Sequence, residues 1–515
     1  MKICKLVERL QVRILQGDTE TDVTSVVYDS RKVTEGCLFV CISGAAFDGH
    51  SFMAEAIEKG AAAVLIEEGR MPADREFPAD VCVLEIKDTR YGLAMVSAAW
   101  FGYPAEEIPV IGITGTKGKT TTTYMVRSIL EHAGHRTGLI GTIETIIGEK
   151  HIKSLNTTPE SYLVHEYLRE MIDNGMEYAV MEVSSQALML NRTAGILFEI
   201  GVFTNLSPDH IGPNAHSSFE EYAACKGLLF RQCKTGIVNA DDPHCEEILK
   251  GHSCLVERYG ISSQDVDFRA VNIEHVQSQG HLGMKFDVEG KVSFPVELGI
   301  PGLFSVYNAL TAIAVCEHFR IGAEDIRRAL KEAKVKGRIE PVKVSDSFAL
   351  MIDYAHNAMA LESLLSTLRD YNPKRIVCVF GCGGNRAKAR RYEMGEVSGR
   401  LADFTVITSD NPRFEDPQAI IDDIVTGIKK TDGAYITIID RKEAIAWAIR
   451  NGQPGDVIVL AGKGHEDYQE ICGKKYPMDE RELIRDILES MDLSPHQGGH
   501  IVLAQPQGGV PDLNQ

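Results

Sequence analysis

The chain lacks any hydrophobic run that approaches the roughly 20 apolar residues needed to cross a bilayer. Its first segment is interrupted by Glu8, Arg9 and Arg13 before the apolar stretch of a signal peptide can form. These absences exclude a membrane-spanning protein, and we expect a cytoplasmic protein without a membrane partner.

Paired cysteine motifs and an excess of basic charge are missing as well. The twelve cysteines include no Cys-x-x-Cys pair, so we interpret them as free thiols in a reducing compartment. The 54 Lys and Arg residues are outnumbered by 73 Asp and Glu residues, which gives a net charge of −19. That balance disfavours a protein that wraps nucleic acid, and any anionic ligand must be held by local groups.

The remaining composition is that of a globular protein, with 44% hydrophobic and 25% charged residues. At roughly 150 residues per domain, 515 residues predict about three domains. We place these domains at residues 1–107, 108–337 and 338–491, and we predict a disordered tail over residues 492–515.

Two segments alternate short β-branched runs with helical periodicity, which predicts parallel sheets covered by helices. We therefore expect an α/β protein with a small N-terminal α/β unit, a central sheet of the P-loop ATPase type and a doubly wound C-terminal domain. Thr158 is predicted to cap a central helix that ends at Gly175, and residues 260–300 are predicted to form antiparallel edge strands. The main predicted parallel strands are 110–114, 178–184, 199–206, 235–240, 350–356, 375–381, 404–410, 435–440 and 456–462.

A glycine-rich loop follows the first central strand and precedes a helix, which is typical of a phosphate-binding site. Its glycines let backbone N–H groups face phosphate, Lys119 adds a positive charge, and Thr120 offers a hydroxyl to Mg²⁺. Ile113 stands where the strict P-loop pattern has its first glycine, so the loop is a shorter variant. The predicted ATP-binding residues of this loop are Thr114, Gly115, Thr116, Lys117, Gly118, Lys119 and Thr120.

Phosphoryl transfer also needs metal ligands near the phosphates. Glu182 ends the next strand, and His210 lies on a loop expected at the same edge of the sheet. We therefore predict that both contribute to a magnesium site beside the glycine-rich loop.

At this point the motifs ITGTKGKTTT, EVSSQAL, NLSPDH, YNALTA, GRIE and DYAHN, in this order, resemble the Mur ligase family of ATP-dependent, peptide-bond-forming enzymes of bacterial cell-wall synthesis. The resemblance runs from about residue 25 to about residue 485. It implies three domains, which bind a UDP-sugar, ATP and an incoming amino acid. Within the family, YDSRKV, FDGHSF, NTTP, SDNPR and AGKGHEDYQ are similar to members that extend UDP-N-acetylmuramoyl-L-alanyl-D-glutamate.

The resemblance also implies roles for individual residues. The residues implied for the UDP-sugar peptide are Ser30, Asn156, Thr157, Thr158, Ser184 and Arg192. Further ATP contacts are implied for Asn308, Arg338, Asp353 and His356. The implied catalytic residues are Lys119, Glu182, His210 and Lys226. The implied metal ligands are Thr120, Glu182, His210 and Lys226, with Lys226 carbamylated to N6-carboxylysine.

The Asp-Asn-Pro-Arg motif is similar to that of family members that add meso-diaminopimelate. This amino acid differs from lysine by one carboxylate, and Arg413 has the fork geometry that recognises a carboxylate. The implied diaminopimelate contacts are Arg386, Asp410, Asn411, Pro412, Arg413, Gly462 and Glu466.

Three alternatives stay open at this point: a lysine-adding member of the family, a folylpolyglutamate synthetase, and a P-loop switch or transport ATPase. The preferred interpretation implies Mg²⁺ as cofactor, ATP as co-substrate and small molecules as partners. We expect a monomer.

Overall fold

The computed structural model describes residues 1–44, 47–72, 77–208, 212, 216–278 and 280–492. Within these ranges the chain forms three large sheets, which follow one another along the sequence, and a small β-hairpin. No helix in the described part of the chain is long and apolar enough to cross a membrane. The α/β fold class predicted from the sequence is confirmed.

The N-terminal sheet has the strand order β1-β5-β4-β3-β2, in which only β1 runs antiparallel to its neighbour among the described pairings. Its strands are β1 (Arg13–Gln16), β2 (Val26–Val27), β3 (Leu38–Val40), β4 (Ala63–Glu67) and β5 (Cys82–Ile86). Its helices are α1 (Ile3–Leu6), α2 (Met53–Glu58) and α3 (Thr89–Trp100). Leu93 and Val96 of α3 pack against Leu38 and Leu65 of the sheet and form a separate apolar core.

The central sheet contains the strands β6 (Val110–Thr114), β7 (Thr137–Ile140), β8 (Glu144–Ile147), β9 (Lys150–Lys153), β10 (Tyr178–Glu182), β11 (Phe198–Phe203), β12 (Cys233–Asn239), β13 (Leu255–Gly260), β14 (Phe268–Ser278), β15 (His281–Gly290) and β16 (Phe294–Leu298). The associated helices are α4 (Lys119–His132), α5 (Ser161–Asp173), α6 (Ser185–Met189), α7 (Phe219–Gly227), α8 (Cys245–Ile248), α9 (Leu303–His318) and α10 (Ala323–Glu332). The strand order is β16-β15-β14-β13-β12-β11-β6-β10-β7-β8-β9.

The middle of this sheet, from β7 to β14, is parallel, and both edges are antiparallel. The predicted antiparallel strands of residues 260–300 are therefore confirmed as β14, β15 and β16. The carboxyl ends of β6, β10 and β11 lie side by side, which places the loops that follow them at one edge of the sheet.

One helix boundary differs from the prediction. The helix α5 begins at Ser161, and the side chain of Glu160, not Thr158, caps it by accepting the Ser161 N–H at 3.0 Å. Thr158 precedes a proline, a position that disfavours helical backbone, and its hydroxyl donates instead to the carbonyl oxygen of Glu182 at 2.8 Å. The predicted end of the helix is confirmed, because Gly175 follows it with a φ of +71°.

The C-terminal sheet has the order β17-β18-β22-β19-β20-β21, and a separate hairpin pairs β23 with β24. The strands are β17 (Glu340–Val342), β18 (Ala349–Asp353), β19 (Arg375–Phe380), β20 (Phe404–Ile407), β21 (Tyr435–Thr437), β22 (Asp456–Ala461), β23 (Tyr468–Ile471) and β24 (Lys474–Pro477). The helices are α11 (Ala358–Arg369), α12 (Lys388–Leu401), α13 (Pro417–Ile428), α14 (Arg441–Arg450) and α15 (Glu480–Asp492).

Helices cover both faces of this sheet, as in a doubly wound fold. Met351 and Cys378 face the core formed with α11, α12 and α13, whereas Leu350 and Val377 face α14 and α15. Each of the three predicted segments contains one large sheet, and the exact domain boundaries stay a prediction. The predicted tail lies outside the described residues from residue 493 onward.

The central and C-terminal sheets are joined by direct contacts. The hydroxyl of Tyr371, just after α11, donates to the Gly283 carbonyl at 2.8 Å and accepts the Gly302 N–H at 3.0 Å. On the opposite edge, Lys153 of β9 forms an ion pair with Asp467 at 2.5 Å. These contacts fix the C-terminal loops near the edge of the central sheet.

Candidate active site

The predicted phosphate loop connects β6 to α4, and two of its positions require glycine. A Cβ on Gly115, which has a φ of +148°, would lie 1.9 Å from Oγ1 of Thr204. A Cβ on Gly118, which has a φ of +87°, would lie 2.5 Å from Oδ1 of Asn308. Thr204 also donates to the Lys117 carbonyl at 2.7 Å, so β11 and α9 hold the loop in shape.

Two ammonium groups converge on this loop. Lys119 donates to the carbonyl oxygen of Gly115 at 2.9 Å and to that of Thr116 at 3.1 Å. Lys226, on α7 and 1% exposed, donates to the same Gly115 oxygen at 2.9 Å and lies 4.4 Å from the ring centroid of Tyr222. The two nitrogens are thus less than about 6 Å apart, so two cationic side chains meet at one carbonyl oxygen of the loop.

Glu182 ends β10 beside the phosphate loop and is fully buried. Its carboxylate accepts the Thr120 hydroxyl at 3.0 Å, and it accepts the backbone N–H and the hydroxyl of Thr142 at 2.8 and 2.9 Å. Oγ1 of Thr142 also lies 3.1 Å from Oγ1 of Thr157. A row of oxygen atoms therefore runs from the phosphate loop to the Asn-Thr-Thr-Pro segment.

Thr120 and Glu182 offer the oxygen ligands that Mg²⁺ prefers, and Mg²⁺ commonly takes only one or two protein carboxylates together with phosphates and water. His210 lies outside the described residues. Within the described ranges, no three His, Cys, Asp or Glu side chains form a cluster that could hold a metal by themselves. The pair of Thr120 and Glu182 therefore fits a metal that is shared with a phosphate ligand.

A cavity of about 240 Å³ opens beside Lys119 and brings the predicted catalytic lysines together with predicted UDP-sugar residues. It is lined by Lys119, Asn156, Thr157, Thr158, Ser184, Ser185, Gln186, Arg192, His216, Tyr222 and Lys226. The loops after β9, β10 and β11 and the helix α7 thus supply one polar pocket. Such a pocket suits an anionic ligand that must reach the phosphate loop.

Hydrogen bonds set the shape of this cavity. The Thr158 hydroxyl accepts the Ser184 N–H at 3.0 Å, and the Thr158 carbonyl accepts from Arg192 at 3.1 Å. Ser184 caps α6 by accepting the Ala187 N–H at 3.1 Å. His216 contacts the Ser185 hydroxyl at 2.8 Å, a contact that sequence reasoning did not identify.

Ser30 does not line this cavity. It begins a short 3₁₀ turn after β2, and its carbonyl accepts from Lys59 at 3.3 Å. It therefore belongs to the N-terminal sheet, and its role in binding the UDP-sugar stays a prediction.

The GRIE and DYAHN segments meet at the junction of the central and C-terminal sheets. The Arg338 guanidinium lies 4.9 Å from the ring centroid of Tyr354. Asp353 accepts the N–H groups of Ile339 and Ala355 at 2.8 Å each, and burial raises its pKa despite the opposing charge of Arg338. His356 is exposed next to them. Of the four further residues predicted to contact ATP, only Asn308 is thus placed against the phosphate loop.

A second polar site lies at the carboxyl ends of β20 and β22. Asn411 donates to Glu466 at 2.9 Å, and buried Lys463 donates to Asn411 at 3.0 Å and to Glu466 at 2.8 Å. Burial alone would raise the pKa of Glu466, but Lys463 and the hydrogen bond from Asn411 outweigh it and lower this pKa. A Cβ on Gly462 would lie 3.1 Å from the carboxylate of Asp410. The structure therefore brings these four predicted residues together around Lys463.

Arg413 adjoins this cluster on the Asp-Asn-Pro-Arg loop. Its Nε donates to Glu470 at 3.1 Å, and its Nη1 donates to the Gly384 carbonyl at 2.7 Å. The Pro412 carbonyl packs so closely on Gly384 that a Cβ there would lie 1.9 Å away. Arg386 is exposed on the same glycine-rich loop, which therefore lies directly against the loop that carries Arg413.

Several residues of this site were missed by sequence reasoning. Lys463 lies within the AGKGHEDYQ motif and Glu470 follows it directly. The motif could therefore have drawn attention to both residues, but it does not indicate which side chains they contact. Arg441 of α14 donates to the carbonyls of Ser409 and Ala461 at 3.2 and 3.0 Å, and its charge is matched by Glu480 at 2.8 Å. No motif marks the buried pair of Arg441 and Glu480, and Arg441 links the carboxyl ends of β20 and β22.

The chain is similar in sequence to known proteins over most of its length. Sequence models match residues 22–100 (Mur ligase family, catalytic domain), 113–316 (Mur ligase middle domain) and 337–464 (Mur ligase, glutamate ligase domain). A Clostridium perfringens protein named UDP-N-acetylmuramoyl-L-alanyl-D-glutamate--2,6-diaminopimelate ligase is 40% identical over 496 residues, which cover 95% of this chain and 100% of that protein. A protein of the same name from Caldanaerobacter subterraneus subsp. tengcongensis is 42% identical, with 92% of this chain and 96% of that protein covered.

A solved structure of a ligase with this name is 26% identical and superposes with a TM-score of 0.71, covering 96% of this chain and 100% of the other. The similarity thus extends over all three sheets and both polar sites. The chain belongs to the Mur ligase family.

Proposed function

We propose that this protein is an ATP-dependent ligase that adds meso-2,6-diaminopimelate to UDP-N-acetylmuramoyl-L-alanyl-D-glutamate, in cytoplasmic synthesis of peptidoglycan precursors. The observation that carries the proposal is the cavity in which Lys119 of the phosphate loop meets Thr157, Thr158 and Arg192. The names of relatives about 40% identical over nearly the whole chain support the choice of substrates.

The reaction has to activate a carboxylate, which is a poor electrophile. The γ-phosphoryl group of ATP moves to the side-chain carboxylate of the D-glutamyl residue, which forms an acyl phosphate and releases ADP. The amine of diaminopimelate then attacks the acyl carbon, and the tetrahedral intermediate expels phosphate as the amine loses its proton. Because two anions must meet in the first step, positioned cations and N–H donors supply most of the catalysis.

In this proposal Lys119 and the backbone N–H groups of residues 115–118 hold the β- and γ-phosphates. Thr120, Glu182 and His210 would hold Mg²⁺, which would neutralise phosphate charge when bound. Thr157, Thr158, Ser184 and Arg192 hold the peptide portion of the UDP-sugar. The carboxylate to be activated is thereby kept next to Lys119.

Lys226 is proposed to carry a carbamate, formed when its neutral amine adds CO₂ and releases a proton. Two ammonium groups that share the Gly115 carbonyl repel each other, and carbamylation replaces one of these cations with an anion suited to Mg²⁺. Intact mass of the native protein in bicarbonate is expected to exceed the sequence mass by one CO₂, and the Lys226→Arg variant is expected to lack this increment. An unmodified Lys226 in active enzyme would refute this part of the proposal.

The C-terminal site is proposed to bind diaminopimelate, with Arg413 facing the carboxylate that lysine lacks. In this proposal Asp410, Asn411 and Glu466 would receive ammonium groups. With lysine bound, Arg413 would lose this carboxylate partner, which costs about 2–3 kcal/mol, or roughly 50-fold in kcat/KM. We also propose that residues 1–107, 108–337 and 338–491 act as three domains of a monomer, one for each substrate.

Phosphate release separates this function from its alternatives. We expect release with the UDP-muramoyl dipeptide plus diaminopimelate, much less with lysine, and none without an amino acid. The Arg413→Ala variant should lose roughly 50-fold in kcat/KM with diaminopimelate and far less with lysine. Equal losses on both amino acids would refute the role of Arg413, preferred turnover of lysine would favour the lysine-adding alternative, and release without the UDP-sugar would favour a switch ATPase.

A further inference from the structure

Glu470, the third residue of β23, contacts the loop of Arg413 at three points. Its N–H donates to the side chain of Asn411 at 2.9 Å, and its carbonyl accepts the Arg413 N–H at 2.9 Å. Its carboxylate accepts from Nε of Arg413 at 3.1 Å. The first two contacts use backbone atoms, and only the third depends on the side chain being glutamate.

The backbone contacts already anchor the hairpin on this loop. Cys472 adds a further bond, because its N–H donates to the Arg413 carbonyl at 2.6 Å. Arg413 has a φ of +53°, and this unusual backbone is held by the bonds to Glu470 and Cys472. Loss of the Glu470 carboxylate therefore leaves the hairpin attached to the loop. The contact that is lost is the one to the guanidinium of Arg413.

The guanidinium is held at two of its five N–H groups. One is the Nε–H bonded to Glu470, and the other belongs to Nη1 and is bonded to the Gly384 carbonyl. Both side chains of the ion pair are 23% exposed, so water screens the pair only in part. Within the described part of the chain the other three N–H groups, one on Nη1 and two on Nη2, form no hydrogen bond and are open to a ligand.

This arrangement determines how a carboxylate approaches. The edge formed by Nε and Nη2, one of the two forks that arginine can offer, is blocked on its Nε side by Glu470. A ligand carboxylate therefore approaches from the Nη2 side of the guanidinium, away from the Nε–H that Glu470 occupies. Without Glu470 the guanidinium gains freedom to rotate about its last side-chain bonds, and that freedom is lost again on binding.

We propose that Glu470 is a positioning residue that sets the specificity of the amino-acid site by holding Arg413 for the distal carboxylate of the substrate. The inference rests on the proposed function, because it takes Arg413 to face the carboxylate that distinguishes diaminopimelate from lysine. Glu470 affects substrate binding only through Arg413. It therefore contributes to the affinity only for a substrate that contacts Arg413.

The test is a double-mutant cycle read with two amino acids. Steady-state rates of phosphate release are measured at saturating ATP and UDP-muramoyl dipeptide for the wild type, Glu470→Gln, Arg413→Ala and the double variant. Glu470→Gln keeps the shape of the side chain and removes its charge. We expect it to raise KM for diaminopimelate by about tenfold with little change in kcat, since Glu470 does not touch the reacting atoms.

The same substitution should change kcat/KM for lysine by less than about twofold, and it should have an equally small effect in the Arg413→Ala background. Glu470→Asp, which keeps the charge on a shorter side chain, should recover part of the lost affinity for diaminopimelate. The matched control is Glu482→Gln, which removes a carboxylate from an exposed ion pair with Arg485 on α15 and should leave both substrates unaffected.

Additive losses in the double variant, or equal losses with both amino acids, would overturn the role assigned to Glu470. Unchanged KM for diaminopimelate in Glu470→Gln would overturn it as well. A wild-type enzyme that does not turn over diaminopimelate would instead overturn the proposed function, so the two failures are distinguishable. If Glu470→Gln melts at a lower temperature, the comparison between Glu470→Asp and the wild type provides the same test in a folded protein.

Discussion

Lys463 is the most informative single residue to remove, because it is fully buried and charged. Its ammonium donates to Glu466 at 2.8 Å, to Asn411 at 3.0 Å and to the carbonyl of Tyr468 at 2.5 Å. Lys463→Met keeps a flexible chain of similar length but removes all three bonds. The variant therefore leaves the Glu466 carboxylate without its cation.

The magnitude follows from the geometry of this pair. At 2.8 Å and an effective dielectric constant of about 20, the attraction between Lys463 and Glu466 is about 6 kcal/mol. Desolvation offsets part of that attraction, and removal of one partner from a buried pair typically costs about 3–5 kcal/mol. The Glu466 side chain is 18% exposed, so water reaches it, and we expect the lower value of about 3 kcal/mol.

This cost depends on pH in a definite direction. In the wild type the pKa of Glu466 lies below its ordinary value of 4.5, so its contribution to stability is present above pH 4.5 and is lost as pH falls through the lowered pKa. In Lys463→Met the hydrogen bond from Asn411 is the main contact that still opposes burial, so we expect the pKa to rise and the variant to lose stability as pH rises above about 4.5. The difference between the two proteins should therefore be larger at about pH 7.5 than at about pH 5.

Urea unfolding measures this difference. Trp447 stacks on Phe404 with ring centroids 5.2 Å apart, and in a Trp100→Phe background it is the chain's only tryptophan and reports on the C-terminal sheet. Lys442→Met is the matched control, since it breaks an exposed ion pair with Asp486 on α15 and should cost less than about 1 kcal/mol. A loss below about 1 kcal/mol in Lys463→Met, or the same loss at both pH values, would refute the reasoning.

Two further predictions concern the central sheet. Gly115→Ala should raise KM for ATP more than about tenfold, because the new Cβ would clash with Thr204. The control is Gly134→Ala, at a position with a φ of +90° but with no atom within 4 Å of the new Cβ, and it should leave KM for ATP unchanged. Equal effects of the two substitutions would contradict this role of the clash. Burial lowers the pKa of the His165 imidazole from 6.5 to about 4. Between these two pH values only the unfolded chain takes up a proton at this residue. The free energy of unfolding of the wild type should therefore fall by about 3 kcal/mol as pH falls through that range. His165→Gln cannot take up this proton. Its free energy of unfolding in urea should therefore differ less between about pH 7 and about pH 5 than that of the wild type. The same pH dependence in both proteins would contradict the prediction.

The fold was largely predictable because the residue patterns that indicate its strands and helices lie within short segments of the sequence. The runs that became β6, β10 and β19 are short, apolar and β-branched, and a buried parallel strand requires that composition. The phosphate loop was predictable for a related reason, since Gly115 and Gly118 occupy backbone conformations that only glycine adopts readily. Thr158 shows the limit, because its capping role was assigned from local sequence while a distant strand end claimed its hydroxyl.

The contacts of the C-terminal site could not be predicted from spacing. Lys463 and Asn411 are 52 positions apart, and their hydrogen bond depends on the order in which β20 and β22 enter the sheet. Arg441 and Glu480 lie on different helices, with no glycine or repeated motif to mark them. Buried ion pairs of this kind are products of tertiary packing, so only the folded chain reveals them.

The hydroxyl groups around Glu182 have a consequence for how a cation at Glu182 and a ligand at Thr157 affect each other's binding. The hydroxyl of Thr142 has a single proton and two neighbours, the Glu182 carboxylate at 2.9 Å and Oγ1 of Thr157 at 3.1 Å. We expect a cation bound at Glu182 to turn that proton toward Thr157, because the cation would take up the carboxylate oxygen that now accepts it. A ligand that binds the Thr157 hydroxyl would in turn change the affinity of Glu182 for a cation. Thermodynamic linkage makes the two influences equal, so loading of either end of this row tunes the affinity of the other by the same factor.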